Sequence, residues 1–489
     1  MQITIAPLSD AVANERIDSQ FFRPEYIESY DVVCNAPFSV LSDIAHITDG
    51  NHLKIAENFD NEHGIRYLRG QDLSTDMMLH DRNIVHIPES CFNSLKRSHI
   101  FKDDILITIV GANTGLVGLV FNPPDKLVAN CKLGVARPNK EEILPGYLYA
   151  FLIGRFGQHQ ILRSIRGGGQ TGLILPDMRH LKITRLDGEF ESAISKIVSD
   201  GHKGIADSKE LYSETQSVIL SELGLTNWQP KHQLAFIKNF SDTEQAERID
   251  AEYYQPRYDE IIQAIKKYPG GWESLVKLVD IKKCIEVGSG EYLDEGVPFV
   301  RVSNISPFEI TEEKYISEAL YAELTPEEID IPFVKSKNHQ PQQGEILFSK
   351  DGTPGIAHYL KDPPPRMIPS GGILRLKSKT NKVNNEYLTL VLNSVLTQEQ
   401  VNRDVGGSII LHWRPDQVKQ TVVPILSEKK QLEIQQKVAE SFNLRKQSKQ
   451  LLESAKKAVE MAIEQDEQTA IDWLKVQTKS IGVIDANGL

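Results

Sequence analysis

The chain has only four cysteines in 489 residues, at positions 34, 91, 131 and 284, with no C-x-x-C pair and no histidine at ligand spacing. Neither a disulfide framework nor a zinc site is encoded, and buried thiols are expected. No Gly-Lys pair occurs anywhere, which excludes a phosphate-cradling P-loop. H-E-x-x-H, G-x-S-x-G and the kinase signature set are missing too. No stretch is long and apolar enough for a membrane span, which needs about 20 mostly apolar residues. The most apolar window, 104–121, is interrupted by Thr108, Asn113, Thr114 and three glycines; it reads as a buried β-hairpin. No Lys- or Arg-led apolar stretch opens the chain, so no secretory signal is expected and the protein should be cytoplasmic, with no membrane partner. Positive charge is also short: 55 Lys and Arg against 67 Asp and Glu give a net charge of -12. That balance argues against a chain that grips nucleic acid unaided, because neutralised phosphates supply most of such affinity.

Two apparent motifs dissolve on inspection. Asn122-Pro123-Pro124 and Asp362-Pro363-Pro364 resemble the start of an amino-methyltransferase tetrapeptide, but Asp125 and Pro365 stand where its stacking aromatic belongs. They read as a turn used twice. The glycine-rich run from Arg166 to Gly172 lacks the Lys and the strand-loop-helix setting of a phosphate loop.

What is present is repetition. RIDSQFFRPEY (16–26) recurs as RIDAEYYQPRY (248–258), 232 residues later. At the same offset GIRYLRGQDLS (64–74) faces GVPFVRVSNIS (296–306). Insertions then shift the register: DDILITIVGANTG (103–115) faces GEILFSKDGTPG (344–355), and SKELYSETQSVILSELG (208–224) faces SKQLLESAKKAVEMAIE at an offset of 240. The chain therefore reads as two copies of a unit of about 230 residues. Each unit runs from the R-I-D lead through a mixed region of strands, turns and short helices into a long closing helix.

In the first closing helix, Ile194, Ile197, Gly201, Gly204, Ser208 and Leu211 fall on one stripe with alternating steps of three and four. In the second, Ile434, Ser441, Leu444, Ser448, Leu451 and Ala455 do the same once Lys437 is counted between the first two. Each glycine costs a helix interior roughly 1 kcal/mol, so either the helix breaks at Gly201 or another helix packs closely along the small residues. A helix of about 35 residues spans roughly 50 Å, and two packed together make a rigid spacer.

The duplicated unit, the R-[IL]-D-x-x-[FY]-[FY]-x-P-x-Y lead, the segments 67–73 and 299–305, and the charged helix beginning near SEKKQLEIQQKV (427–438) resemble a type I restriction-modification specificity subunit over nearly the whole chain. The resemblance implies an α+β, internally duplicated fold with two mixed α/β target recognition domains, held apart by two long antiparallel conserved helices in pseudo-two-fold arrangement. It implies an N-terminal lead at 1–30, recognition domains at 31–188 and 266–425, conserved helices at 189–225 and 426–465, a linker with the repeated lead at 226–265, and a tail at 466–489. Each domain would read one half of a bipartite site in double-stranded DNA, and the helices would set the unread gap. The implied partners are two copies of an adenine methyltransferase (M) subunit binding S-adenosylmethionine, with or without ATP-driven restriction (R) subunits. This chain itself would bind no cofactor or metal and carry no catalytic centre.

Residues alike in both units, such as Arg69 and Arg301, suit phosphate contact or a structural ion pair. Residues that differ at matching places are the candidates for reading bases: Asn113 and Thr114 against Lys350 and Thr353 at the hairpin turns, and Arg166, Gln170 and Thr171 against Ser408, His412 and Arg414 at the glycine loops. Arg to guanine and Gln to adenine are pairings that geometry favours. The seam residues named above are the expected helix-packing or partner-docking positions. Two other readings remain open: a non-catalytic DNA-reading adaptor of a related phage-defence system, and a nuclease whose site is not recognisable.

Overall fold

In the computed structural model, described residues are 8–13, 15–60, 63–73, 84–111, 113–167, 172–326, 338–406 and 410–482. They form two compact units, residues 1–207 with 443–489 and residues 208–442. The division falls within the helices Gly188–Glu222 and Glu428–Glu464, so each unit holds a part of both. Among the described residues no helix is long and apolar enough to cross a membrane.

Unit 1 is built on a four-stranded antiparallel sheet in the order Ala45–Asp49, Leu133–Pro138, Ile105–Thr108, Val117–Leu119. Ile105–Thr108 and Val117–Leu119 are the two arms of the expected hairpin. All four residues of Ile105–Thr108 are buried, because this strand lies inside the sheet with apolar side chains on both faces. A β-branched, unalternating run such as Ile-Leu-Ile-Thr fits that position. A smaller sheet sets Ile65–Leu68 antiparallel to His86–Ile87 and parallel to Leu127–Ala129. Phe38–Val40 pairs with Lys182–Thr184 and closes the unit.

Unit 2 has the same order of pairing. Its large sheet runs Val279–Lys283, Ile373–Ser378, Glu345–Ser349, Ala357–Tyr359. Val297–Val300 lies antiparallel to Tyr315–Ile316 and parallel to Ile368–Pro369, and Trp272–Ser274 pairs with Val422–Pro424. A buried tyrosine on the short apolar helix of each unit locks the closing strand: Tyr147 donates to the Thr184 carbonyl at 2.6 Å, and Tyr387 to the Pro424 carbonyl at 2.8 Å. Burial raises the pKa of both hydroxyls, so each stays a donor.

The R-I-D lead packs on a short helix rather than on the long ones. Arg16 is buried, is gripped by Asp18 at 2.6 Å, and donates to the carbonyls of Ser164 and Ile165 at the end of Arg155–Ser164. In unit 2, Arg248 is held by Asp250 and donates to the carbonyls of Arg403 and Asp404 at the end of Val395–Asp404. The last carbonyls of a helix have no partner inside it, and a guanidinium satisfies them while opposing the helix dipole.

Gly188–Glu222 is one continuous helix, so no break occurs at Gly201. In unit 1 a Cβ on Gly201 would come within 2.8 Å of Leu452 Cγ, and one on Gly204 within 2.2 Å of Ser448 Oγ. Only glycine lets the backbones come this close. The segment beyond 465, read from sequence as a tail, contains the helix Glu467–Ile481, which is N-capped by Asp466 and buries Ala470, Leu474 and Ile481 in the unit 1 core.

Candidate nucleic-acid interface

In each unit the hairpin turn and the glycine loop, about 60 residues apart in sequence, are brought side by side. In unit 1, Val110 bridges to Gly172 and Arg166 bridges to the same glycine. Gly111 and Gly115 both have positive φ, at 111° and 100°, which the tight turn between the strands requires. Within it Thr114 donates its hydroxyl to the Gly111 carbonyl at 2.6 Å, while Asn113 is exposed. Gln170 and Thr171 lie outside the described residues.

Arg166 is exposed, and its guanidinium is bound to both oxygens of Asp177 at 2.8 and 2.9 Å. That hydrogen-bonded carboxylate raises its pKa. The Arg166 side chain is therefore fixed beside the loop, and reaching a base would require it to leave Asp177.

Unit 2 makes the same junction with different side chains. Asp351–Gly352 pairs with Leu411–His412, and the Trp413 amide donates to the Lys350 carbonyl at 2.8 Å. Trp413 is buried with its ring edge-on to Phe348, whereas its neighbour His412 is exposed. The sequence left open whether His412 packs or faces outward; Trp413 is the packed member of the pair. Asp351 links Lys350 Nζ to His412 Nδ1, the latter at 2.9 Å. Thr353 is exposed in the turn, and Arg414 is exposed at the start of Pro415–Gln420. Ser408 lies outside the described residues.

Arg69 and Arg301 occupy equivalent turns after Ile65–Leu68 and Val297–Val300. Arg69 pairs with the buried Asp72 at 2.9 Å, and Arg301 pairs with Glu313. Both geometries suit the structural ion pair that the sequence allowed.

The seam positions are mostly interior. Ile194, Ile197, Ser208, Ile434, Ser441, Ser448, Leu451 and Ala455 are buried, as is Gly201, while Gly204, Leu211 and Leu444 are half-buried. They serve helix packing, and a docked protein could not reach the buried ones without opening that packing. Sequence reasoning missed a second stripe on the first helix, Val198, Ile205, Tyr212 and Ile219, spaced by sevens and buried against the domain cores. Its period was legible; which of two stripes met which surface was not. It also passed over Ile410 and Leu411, apolar yet exposed beside His412, a combination visible in the sequence as a bulky pair inside a turn-rich loop.

Residues 37–186 match the family described as the type I restriction modification DNA specificity domain. The matched segment begins just before Phe38–Val40 and ends just after Lys182–Thr184, the strand pair that closes unit 1. Among solved structures the chain is similar to the S subunit of a type I restriction-modification system from M. genitalium, with 14% identity, a TM-score of 0.34, and coverage of 89% of this chain and 96% of that one. It is also similar to the HsdS subunit from Thermoanaerobacter tengcongensis, with 15% identity, a TM-score of 0.27, and coverage of 89% and 95%. No curated protein matches. What the comparisons show is therefore a similarity of residues 37–186 to the type I restriction modification DNA specificity domain.

Proposed function

We propose that the chain is the DNA specificity subunit of a type I restriction-modification complex, with each unit reading one half of a bipartite site. The observation that carries this reading is the family match over residues 37–186. The like strand order of unit 2, with Trp272–Ser274 paired to Val422–Pro424, supports reading it as a second recognition domain. On this reading the repeat offers one partner two similar docking faces, and the helices Gly188–Glu222 and Glu428–Glu464 form an antiparallel spacer that sets the unread gap.

The base-reading candidates are the junctions of hairpin turn and glycine loop: Asn113, Thr114, Arg166, Gln170 and Thr171 in one unit, Lys350, Thr353, Ser408, His412 and Arg414 in the other. Arg69 and Arg301 serve as phosphate contacts or as structural ion pairs within their own turns. The partners are two methyltransferase subunits, which bring S-adenosylmethionine and share the phosphate contacts that a chain of net charge -12 makes poorly alone. Docking uses the exposed helix faces, which carry Lys203, Glu214 and Leu432. Restriction subunits, where present, add the ATP-driven step.

Co-expression with an adenine methyltransferase subunit of a type I system, followed by mass measurement of the purified complex, tests the reading. One copy of this chain with two of the methyltransferase is expected. A chain that purifies alone from such cells would contradict it.

A further inference from the structure

In unit 2 the His412 side chain is exposed while its backbone is held by pairing on both sides. His412 lies in a strand paired with Asp351–Gly352, and its backbone exchanges hydrogen bonds with Gly406 at 2.8 and 3.2 Å. The next residue, Trp413, is anchored in the core with its indole N–H directed at Asp404 at 3.4 Å. The His412 side chain nevertheless keeps 60% of its surface exposed, and Ile410 and Leu411 are exposed beside it.

Its ring is oriented by Asp351, whose Oδ1 lies 2.9 Å from His412 Nδ1 and whose other oxygen is held by Lys350 Nζ. A carboxylate can only accept, so Nδ1 carries the proton of the neutral ring. Nε2 is then the acceptor left on a side chain that is 60% exposed. Lys350 occupies the second oxygen and keeps the carboxylate from turning away. Among the described residues of unit 1 the equivalent bridge joins Val110 to Gly172, and the turn begins with Gly111, so no such pair is found there. The two units thus offer different chemistry at the same place in the fold.

We infer that His412 reads one base of the half-site addressed by unit 2, accepting through Nε2 from an exocyclic amino group in the major groove, adenine N6 or cytosine N4, and that Asp351 is the positioning residue that fixes its tautomer. This rests on the specificity-subunit reading above. An acceptor placed there repels guanine O6 and thymine O4, which are acceptors themselves.

The test has two stages. Adenine methylation is first mapped across the genome of cells that express the methyltransferase with wild-type chain, His412→Ala or Asp351→Ala. His412→Ala relaxes one position of one half-site, with discrimination there falling about 5- to 100-fold. Asp351→Ala relaxes the same position. Purified complexes are then given duplexes in which the base at that position is replaced by purine or 2-pyrimidinone, which lack the amino group. The replacement weakens binding by wild type and has no further effect on His412→Ala. An unchanged motif in the variants overturns the inference, as does equal loss with the replaced base in wild type and variant, or uniform loss of methylation from an intact complex. A wild-type complex that methylates no two-part motif would instead remove the specificity reading on which the inference stands.

Discussion

Ser208 and Ser441 bond to each other's backbone: Ser208 Oγ donates to the Ser441 carbonyl at 2.8 Å, and Ser441 Oγ donates to the Ser208 carbonyl at 2.7 Å. Both side chains are buried, with their hydroxyl oxygens 3.2 Å apart. At the 240-residue offset of the closing helices, Ser208 corresponds to Ser448 and Ser441 to Gly201. Gly201 and Ser448 are themselves close neighbours in unit 1, where a Cβ on the glycine would lie 3.2 Å from the serine carbonyl. This is the relation expected of a duplicated helix packed against its own copy.

Ser208→Ala or Ser441→Ala should each lower stability by about 1 kcal/mol, the net worth of a buried neutral hydrogen bond. The double variant should lose less than the sum, because the two hydroxyls share one site. Urea midpoints of the four proteins check this, and strict additivity would show that the bonds are independent.

Arg16→Ala should cost more than Arg248→Ala, although the two make the same bonds. Arg16 is 6% exposed and Arg248 25%, so water can replace the second more easily. Hydrogen bonds from a charged group are worth about 1.5–3 kcal/mol, with Arg16 expected at the upper end. Amide hydrogen exchange should speed up locally at the ends of Arg155–Ser164 and Val395–Asp404.

A similar inequality holds inside the large sheets. Arg375 and Glu345 form an ion pair with side chains 3% and 1% exposed, whereas Arg137, paired with the buried Asp104, is 36% exposed. Removing one partner of a buried pair leaves a stranded charge and costs about 3–5 kcal/mol. Arg375→Met should therefore be poorly soluble or strongly destabilised, and Arg137→Met, whose site water can enter, should cost about 1–2 kcal/mol. Soluble yield and thermal midpoints compare them.

Acid should act through His202. It is buried between Phe121 and Tyr149, its Nε2 has no hydrogen-bond partner among the described residues, and burial lowers its pKa from 6.5 to about 4. Between those values the unfolded chain takes up a proton that the folded chain refuses. Stability present above pH 6.5 is thus lost as pH falls toward 4, by roughly 3 kcal/mol in total. At the 240-residue offset the same place is held by Phe442, which packs on Phe308 and Tyr212. His202→Phe should flatten the fall in urea midpoint between pH 7 and 4.5; an unchanged fall would assign it to carboxylates instead.

Much of this architecture is written in local pattern. Ile105–Thr108 announced a buried strand by its β-branched run, and the small residues at 201, 204 and 208 announced close helix packing because bulkier ones cannot fit. The helix Glu467–Ile481 was legible too, from Asp466 as cap and the four-residue step from Ala470 to Leu474, but its polar composition disguised it. What the sequence could not supply were long-range pairings. Nothing near Arg166 marks Asp177 as its partner rather than DNA, and nothing near His412 marks Asp351, 61 residues away. The R-I-D lead shows the same limit: its arginine was visible, but the helix end that it caps lies 148 residues further on.

On the proposed function, this chain makes two separate readings at a fixed distance. Long-read mapping of adenine methylation in cells that express a type I adenine methyltransferase subunit, with and without this chain, is the sharpest check. The account predicts a two-part motif with a constant unread gap that vanishes when the chain is deleted. A stable complex that adds no methylation, or a single uninterrupted motif, would contradict it.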